Sequence, residues 1–309
     1  MATIFKNRVF GAAIVKAINS NYNADFTGQP RTLPDGTVYA TDKAFKYTIR
    51  NYIKDVFPAE KIFYFKTLNE HLNPISLDEN YTRLFGEYPD SKQIKNIVTK
   101  NLLDCIDVRL FGATFAGKTN VSIHGPVQIN HGVNIWWENN IFTEQITSPF
   151  SNKSNDQEAE KGMTTLGRQS KLQEGHYLHH FSINPKNLEE LVEIADNDVK
   201  TLSVEDVNIL KEAMRRGATY YDSASKAGTE NELLIWVQLK ENSKLVLPNF
   251  TQLVKMKKEK TDNKVILDCG LLKEELNKHQ QEIECVEVYQ NKASIILDNL
   301  PENVKISDL

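Results

Sequence analysis

Cysteine is scarce in this chain. Its 309 residues include only Cys105, Cys269 and Cys285, with no C-x-x-C pair, which argues against a disulfide frame or a zinc site and predicts a reducing, cytoplasmic setting. Long apolar runs are missing as well. No stretch reaches the ~18 residues of a membrane span. The opening segment is broken by Lys6, Arg8 and Lys16 and has no apolar core with a cleavage site, so neither a signal peptide nor a membrane partner is expected. No internal repeat is visible. No single sign of charge dominates either, with 37 basic and 41 acidic residues for a net −4. That balance conceals a gradient: residues 1–50 carry seven basic and three acidic side chains, which leaves the other 259 residues at −8. A locally basic end on an acidic protein suits a polyanion track on one face.

What remains is an ordinary globular composition, 40% hydrophobic and 25% charged, arranged as an α+β chain. Residues 3–18 read as an extended segment with an apolar centre, followed by a long loop rich in Asn, Gly, Pro and Asp. Thr41 can cap a helix that runs to Phe57 before Pro58. "KIFYFKTL" (61–68) has the composition of a strand. Residues 91–106 repeat apolar positions at helical spacing. "SIHGPVQINHGVNIWW" is β-like. Residues 148–162 hold one large apolar side chain, Phe150, and predict a mobile polar insertion. "HYLHHFSI" and "LLIWVQL" read as strands. Helices are expected near 186–196 and 203–216, the second opened by a Ser-x-x-Asp cap. "KMKKEKTDNK" reads as a basic turn and "ECVEVYQN" as a late strand.

Residues 112–119, GATFAGKT, satisfy the phosphate-loop pattern G-x-x-x-x-G-K-[ST]. A working phosphate loop leaves a strand and opens a helix whose N–H groups hold the phosphates. Here the upstream "DVRLFG", with Asp107 and Arg109, is a poor buried strand. Downstream, Gly125-Pro126 and β-branched residues stand where the helix should be, and a proline costs a helix interior ~3 kcal/mol. A nucleotide hydrolase through 112–119 is therefore a disfavoured alternative. His176 and His180 alternate onto one face of a strand with no third metal ligand evident, which predicts an exposed histidine pair. Ser223 and Ser225 lie outside any G-x-S-x-G elbow. Asp25 reads as a turn residue. No catalytic, metal or cofactor site is expected.

The predicted helix 41–57 is more informative. Lys43, Lys46, Arg50 and Lys54 share one arc at spacings of 3, 4 and 4, opposite Phe45, Ile49, Tyr52, Ile53 and Val56. No acid interrupts the stripe, since Asp42 and Asp55 lie only at the helix ends. Such a face spans several phosphates without reading sequence.

"NSNYNADFTGQPR", "YATDKAFKYTIRNYI", "DVRLFGATFA" and "GPVQI", in that order and spacing, closely resemble the major backbone subunit of CRISPR Cascade complexes, most like the type I-B branch. "GMTTLGRQSKLQEGHYLHHFSINP", "SVEDVNILKEAM" and "YYDSASKAG" extend the likeness over nearly the whole chain. The resemblance implies a single hand-shaped domain over 1–309. It has a ferredoxin-like, RNA-recognition-type palm from segments about 1–57, 120–140 and 173–309, a finger insertion about 58–118, and a flexible thumb insertion about 140–172. It also implies a non-catalytic protein that polymerises along CRISPR RNA in a ribonucleoprotein complex for antiviral defence. The guide would be held by its backbone, with bases free to pair with a target DNA strand. Partners implied are neighbouring copies, a guide 5′-end cap subunit, a 3′-end processing endonuclease, and large and small subunits. Carried over by motif, the RNA-contacting positions are Asn19, Asn23 and Arg31 in the loop, then Thr41, Lys43, Lys46 and Arg50 on the helix. Arg109 and Lys118 follow around "DVRLFGATFAGK". Met163, as an apolar wedge at a kinked base, and Arg168 stand in the thumb. The family's Asn-Gly-Asp-Pro run reads Asn23-Ala24-Asp25-Phe26 here. Related type III subunits cut RNA with a loop aspartate, which makes Asp25 the residue of a metal-dependent alternative.

Overall fold

In a computed structural model of the chain, strand β1 (Val9–Ser20) is apolar on both sides. Val9, Ala13, Val15 and Ala17 enter one core while Phe10, Ala12 and Ile14 enter another. A strand alternates its side chains between faces, so this one must lie inside a sheet covered on both. The structure describes residues 3–151, 163–195 and 199–309, with only the backbone described for 151 and 163–166. Gly11 is required at the centre of β1, because a Cβ there would lie 2.2 Å from the Ile235 carbonyl oxygen and 2.5 Å from the Phe181 ring.

After β2 (Tyr39–Ala40), helix α1 (Asp42–Val56) starts where Thr41 Oγ1 accepts the Ala44 N–H. It buries Phe45, Thr48, Ile49, Tyr52 and Ile53, each large apolar side chain contributing about 1.5–3 kcal/mol. A third core then forms from α2 (Leu77–Phe85), α3 (Ile94–Leu103), α4 (Ile106–Phe111) and the hairpin of β3 (Gly112–Ala116) and β4 (Asn120–His124). Two expectations fail here. The single helix over 91–106 is two helices, separated where Cys105 bridges to Lys61. The strand over 61–68 is absent because the N–H groups of Phe63 and Tyr64 donate to the Asp107 carboxylate, at 2.8 and 2.9 Å, and not to a neighbouring strand.

β5 (Val127–Ile129), β6 (Gly132–Asn134), β7 (Ile141–Ser151) and β8 (Met163–Ile183) follow, then α5 (Glu189–Ile194) and α6 (Val204–Tyr220). Helix α6 opens on a reciprocal Ser203–Asp206 capping box. The chain ends through β9 (Thr229–Leu239), β10 (Lys255–Thr261), β11 (Lys264–Asp268), α7 (Gly270–Lys278), β12 (Ile283–Gln290), β13 (Ile295–Asp298) and β14 (Lys305–Asp308). The segment expected as a basic turn is a hairpin. Asp262 and Asn263 supply the two positive φ angles, 52° and 62°, that a two-residue turn between twisted strands needs.

Among the described residues the main sheet has nine strands, in the order β14-β12-β9-β1-β8-β6-β2, with β5 and β7 also paired to β8. Helices α1 and α6 cover one face. The small sheet β10-β11-β13 and helix α7 cover the other.

Candidate nucleic-acid interface

The loop after β1 and the start of α1 are held together by one side chain. Asn23 Oδ1 accepts from both Thr41 N and Thr41 Oγ1, at 2.9 and 3.1 Å, while the Asn23 carbonyl accepts the Arg31 N–H at 3.2 Å. Asn21 ties the same loop to β8. It is buried, and its Nδ2 donates to the Gly28 and Ser170 carbonyls, each at 3.1 Å. Two residues before Ser170, Arg168 is exposed on the β7–β8 hairpin, opposite Gln145. Asn19 closes β1 in the left-handed region, φ 48°, and is exposed. Three expected residues, Asn23, Arg31 and Thr41, thus meet around one loop, and a fourth, Arg168, stands on the strand that Asn21 ties to it. Met163 contributes backbone to β8, but its side chain lies outside the described residues, as do 152–162 of the expected insertion.

A fifth element joins them that the sequence reading passed over. The Lys226 ammonium, from the turn between α6 and β9, donates to the Asn21 and Tyr22 carbonyls. It stands 5.8 Å over the Tyr22 ring. Burial depresses its pKa to about 8. Tyr22, Asn23, Tyr47, Tyr221 and Lys226 line a cleft of about 230 Å³. A desolvated ammonium facing carbonyl oxygens gains from any anion that arrives. Lys226 stands in the "SASKAG" turn with no helical register to align it with other cations, so periodicity could not have flagged it.

The cationic stripe of α1 is not the open face its spacing predicts. Lys43 is four-fifths exposed and Lys54 half exposed, but the Lys46 and Arg50 side chains are only 12% and 14% exposed. Lys46 pairs with Asp42 at 3.2 Å, and Arg50 Nε donates to Asp107 Oδ2 at 3.0 Å. Both also lie over the Phe111 ring, at 5.3 and 5.1 Å. Burial lowers the Lys46 pKa more than Asp42 raises it. The acid that neutralises Arg50 comes from α4, 57 residues away, and helix spacing cannot reveal it.

Arg109, expected at the RNA, is an interior residue. It is 3% exposed. Its guanidinium gives five hydrogen bonds: Nε and Nη2 to the two Asp206 oxygens (3.1 and 2.7 Å), Nη2 to Glu60 (3.1 Å), and Nη1 to the Leu103 and Asp104 carbonyls (each 3.0 Å). Arginine has five N–H donors, so none is left for RNA. At 3.6 residues per turn, Asp107 and Arg109 point to nearly opposite sides of α4. Asp107 clamps α1 and the 63–64 backbone, and Arg109 clamps the start of α6. "DVRLFG" is an internal strut.

The 112–119 segment is β3 and a hairpin turn. The helix precedes it and a strand follows it. Gly112, at φ 78°, makes the reversal from α4, where a Cβ would meet the Ile123 carbonyl at 2.2 Å. The Lys118 N–H donates to Asp78 Oδ1 at 3.0 Å, so a carboxylate occupies an amide that a phosphate would need. The Lys118 side chain is exposed, with its ammonium 5.8 Å over Tyr88.

The histidines are not an exposed pair. His176 and His180 do share a face, but His176 is 1% exposed, with Nδ1 2.5 Å from Glu232 Oε2 and Nε2 3.2 Å from Glu174 Oε1. Burial opposes its charge, yet the two carboxylates outweigh it and the pKa is raised. His180 is half-buried against Phe250. His179, on the other face, stacks on Phe45 at 4.8 Å, and burial holds its pKa at about 4. Asp25 Oδ1 accepts from Thr27 N, Thr27 Oγ1 and Gln29 N, at 2.8, 2.7 and 3.0 Å, which are the bonds of a turn residue. Among the described residues no group of three or more His, Cys, Asp or Glu could hold a metal. Nor is any helix there long and apolar enough to cross a membrane.

Residues 7–271 match the family model for CRISPR-associated protein Cas7. The chain belongs to this family. The matched span takes in the loop after β1, α1, the β7–β8 hairpin and Lys226, and leaves β12, β13 and β14 outside the family model. No curated protein matches the sequence. Among solved structures, a chain of a pre-nicking CRISPR RNA-guided surveillance complex superposes with TM-score 0.54 at 14% identity, over 98% of this chain and 96% of that one. A chain of another CRISPR RNA-guided surveillance complex gives TM-score 0.48 at 12% identity, over 96% and 95%. The first likeness establishes a shared mixed α/β fold with large sheets. The segments "NSNYNADFTGQPR" and "YATDK", which Asn23 binds together, both lie within the matched span.

Proposed function

We propose that this Cas7-family chain is a non-catalytic backbone subunit of a type I Cascade complex. It polymerises along CRISPR RNA in the cytoplasm and presents the guide to a target DNA strand, beside neighbouring copies and the other Cascade subunits. The observation that carries this reading is the convergence of Asn23, Thr41, Arg31 and Lys226, with exposed Lys43 and Arg168 on the elements they join. That face offers cations to a sugar–phosphate chain, as a guide of arbitrary sequence requires. Lys46 and Arg50 act on this face through their ion pairs, as its support. The type I-B assignment rests on the motif resemblance.

We read the palm as ferredoxin-like. The order β9-β1-β8-β6, all antiparallel, with α1 following β1 and α6 following β8, supports that topology. The α2–β4 segment with its own core is the finger, and the β7–β8 hairpin is the thumb.

The test is binding of single-stranded RNA by the purified protein across a salt series. The log–log slope should be about −0.7 per phosphate neutralised, hence roughly −3 if four of these cations engage. Indifference to salt, or a strong preference for one short sequence, would overturn the proposal.

A further inference from the structure

We propose that Phe26 is a stacking platform for a base of the bound single strand, a role separate from the phosphate contacts around it. Its relative exposure is 103%, so no part of the protein shelters the ring. An apolar side chain left wholly in water on a mobile loop would mean little. This loop is instead tied down. Asp25 Oδ1 takes three hydrogen bonds from Thr27 and Gln29. The backbones of Asp25, Gly28 and Gln29 add two more, at 2.8 and 3.2 Å, and Ala24 bridges to Pro30. At its root Asn21 Nδ2 reaches both Gly28 and β8. The backbone that carries Phe26 is therefore preorganised, and ordering the loop on binding costs little.

The surroundings choose the occupant. Asn23, Asp25, Thr27, Gln29 and Arg31 flank Phe26 in the sequence, and no other large apolar side chain between Asn21 and Arg31 is exposed, the next being Leu33 at 37%. A protein partner would need a contiguous apolar patch with a desolvated centre. A base needs one π-face, with cations beside it for the phosphates, and Arg31 and Lys226 stand on and under this same loop. Stacking is indifferent to base identity, which a guide holder requires. The inference rests on the proposed RNA face and adds the group that would engage bases there.

The experiment compares wild type, Phe26→Ala, Phe26→Trp and Lys43→Glu on single-stranded RNA probes carrying 2-aminopurine at each position in turn. Phe26→Ala should weaken binding roughly 5- to 150-fold, the range of one lost base stack. Its salt slope and melting should stay at wild-type values, and 2-aminopurine quenching should be lost at one register. Phe26→Trp should keep both affinity and quenching. If Lys43→Glu weakens binding while Phe26→Ala does not, the stacking role is wrong and the RNA face stands. If neither weakens it, the RNA face itself is wrong. If Phe26→Ala leaves RNA binding intact but reduces association between RNA-free copies in native mass measurements, the ring is a protein contact and the proposal falls.

Discussion

Replacing Arg109 with alanine should damage the fold and leave the RNA surface alone. The side chain is 3% exposed and its main partner, Asp206, is equally buried. Removing one member of such a pair strands the other charge, which costs about 3–5 kcal/mol. Asp206 keeps its cap bonds to Ser203, at 2.9 and 3.0 Å. Glu60, less buried, can rehydrate. The loss should therefore fall in the lower half of that range. The fully buried Trp236 makes tryptophan fluorescence a reporter of global unfolding in urea. With a denaturant slope of about 3 kcal/mol/M, the midpoint should drop by roughly 1 M. Arg109→Lys should recover only part of this, because one ammonium cannot reproduce a fork that grips two carboxylate oxygens and two carbonyls at once. RNA bound per folded molecule, measured below the new midpoint, should equal that of wild type. An Arg109→Ala protein that melts like wild type yet loses RNA would refute the reasoning and return Arg109 to the interface.

Three further outcomes follow from the same geometry. Lys43→Glu should lower single-stranded RNA affinity and flatten its salt slope with the thermal melt unchanged, whereas Arg50→Glu should destabilise by several kcal/mol, since it sets a second carboxylate against fully buried Asp107; paired melting and binding curves separate the two. The His176 pKa is raised above the ~6.5 of an unfolded histidine, so its contribution to stability is complete below pH 6.5 and is lost as pH climbs through the folded value; His176→Gln should flatten that decline in urea midpoints taken from pH 6 to 9. Lys118→Ala should leave the purified protein's nucleotide turnover and melting indistinguishable from wild type, and a lost ATPase would contradict the hairpin geometry.

The sequence made local features legible and hid the pairings between distant segments. Thr41 and Ser203 announced their helices because a cap and its partner lie three residues apart. β1, the C-terminal part of β8 and buried β9 followed from apolar spacing, whereas β7 and the polar first half of β8 did not read as strands. The 61–68 segment had a strand's composition, but Asp107, more than forty residues on, took its amides. The stripe on α1 was correctly phased, yet which of its cations remain free depends on Asp107 as well. His176 read as exposed because Glu232, 56 residues later in β9 on the far side of β1, was invisible as its partner. Lys226 reached the site across about two hundred residues of intervening chain. Periodicity reports which face is buried, and long-range partners decide what a buried or exposed charge does.

The 21-residue strand β8 has a mechanical consequence. At about 3.3 Å per residue it is a beam nearly 70 Å long. Its C-terminal half is clamped to β1 from Leu172 to Ile183, and its N-terminal half projects with β7 as its only described strand partner. The assembly is a cantilever whose root is the centre of the sheet. The register slips at Ile146–Thr147 put bulges partway along the arm, and bulges bend and twist a ribbon locally, giving the lever an elbow. A load applied beyond that elbow is carried as a bending moment to Leu172, where Ser170 and Asn21 join the arm to the loop that holds Phe26. The arm and the loop that holds Phe26 thus share one root.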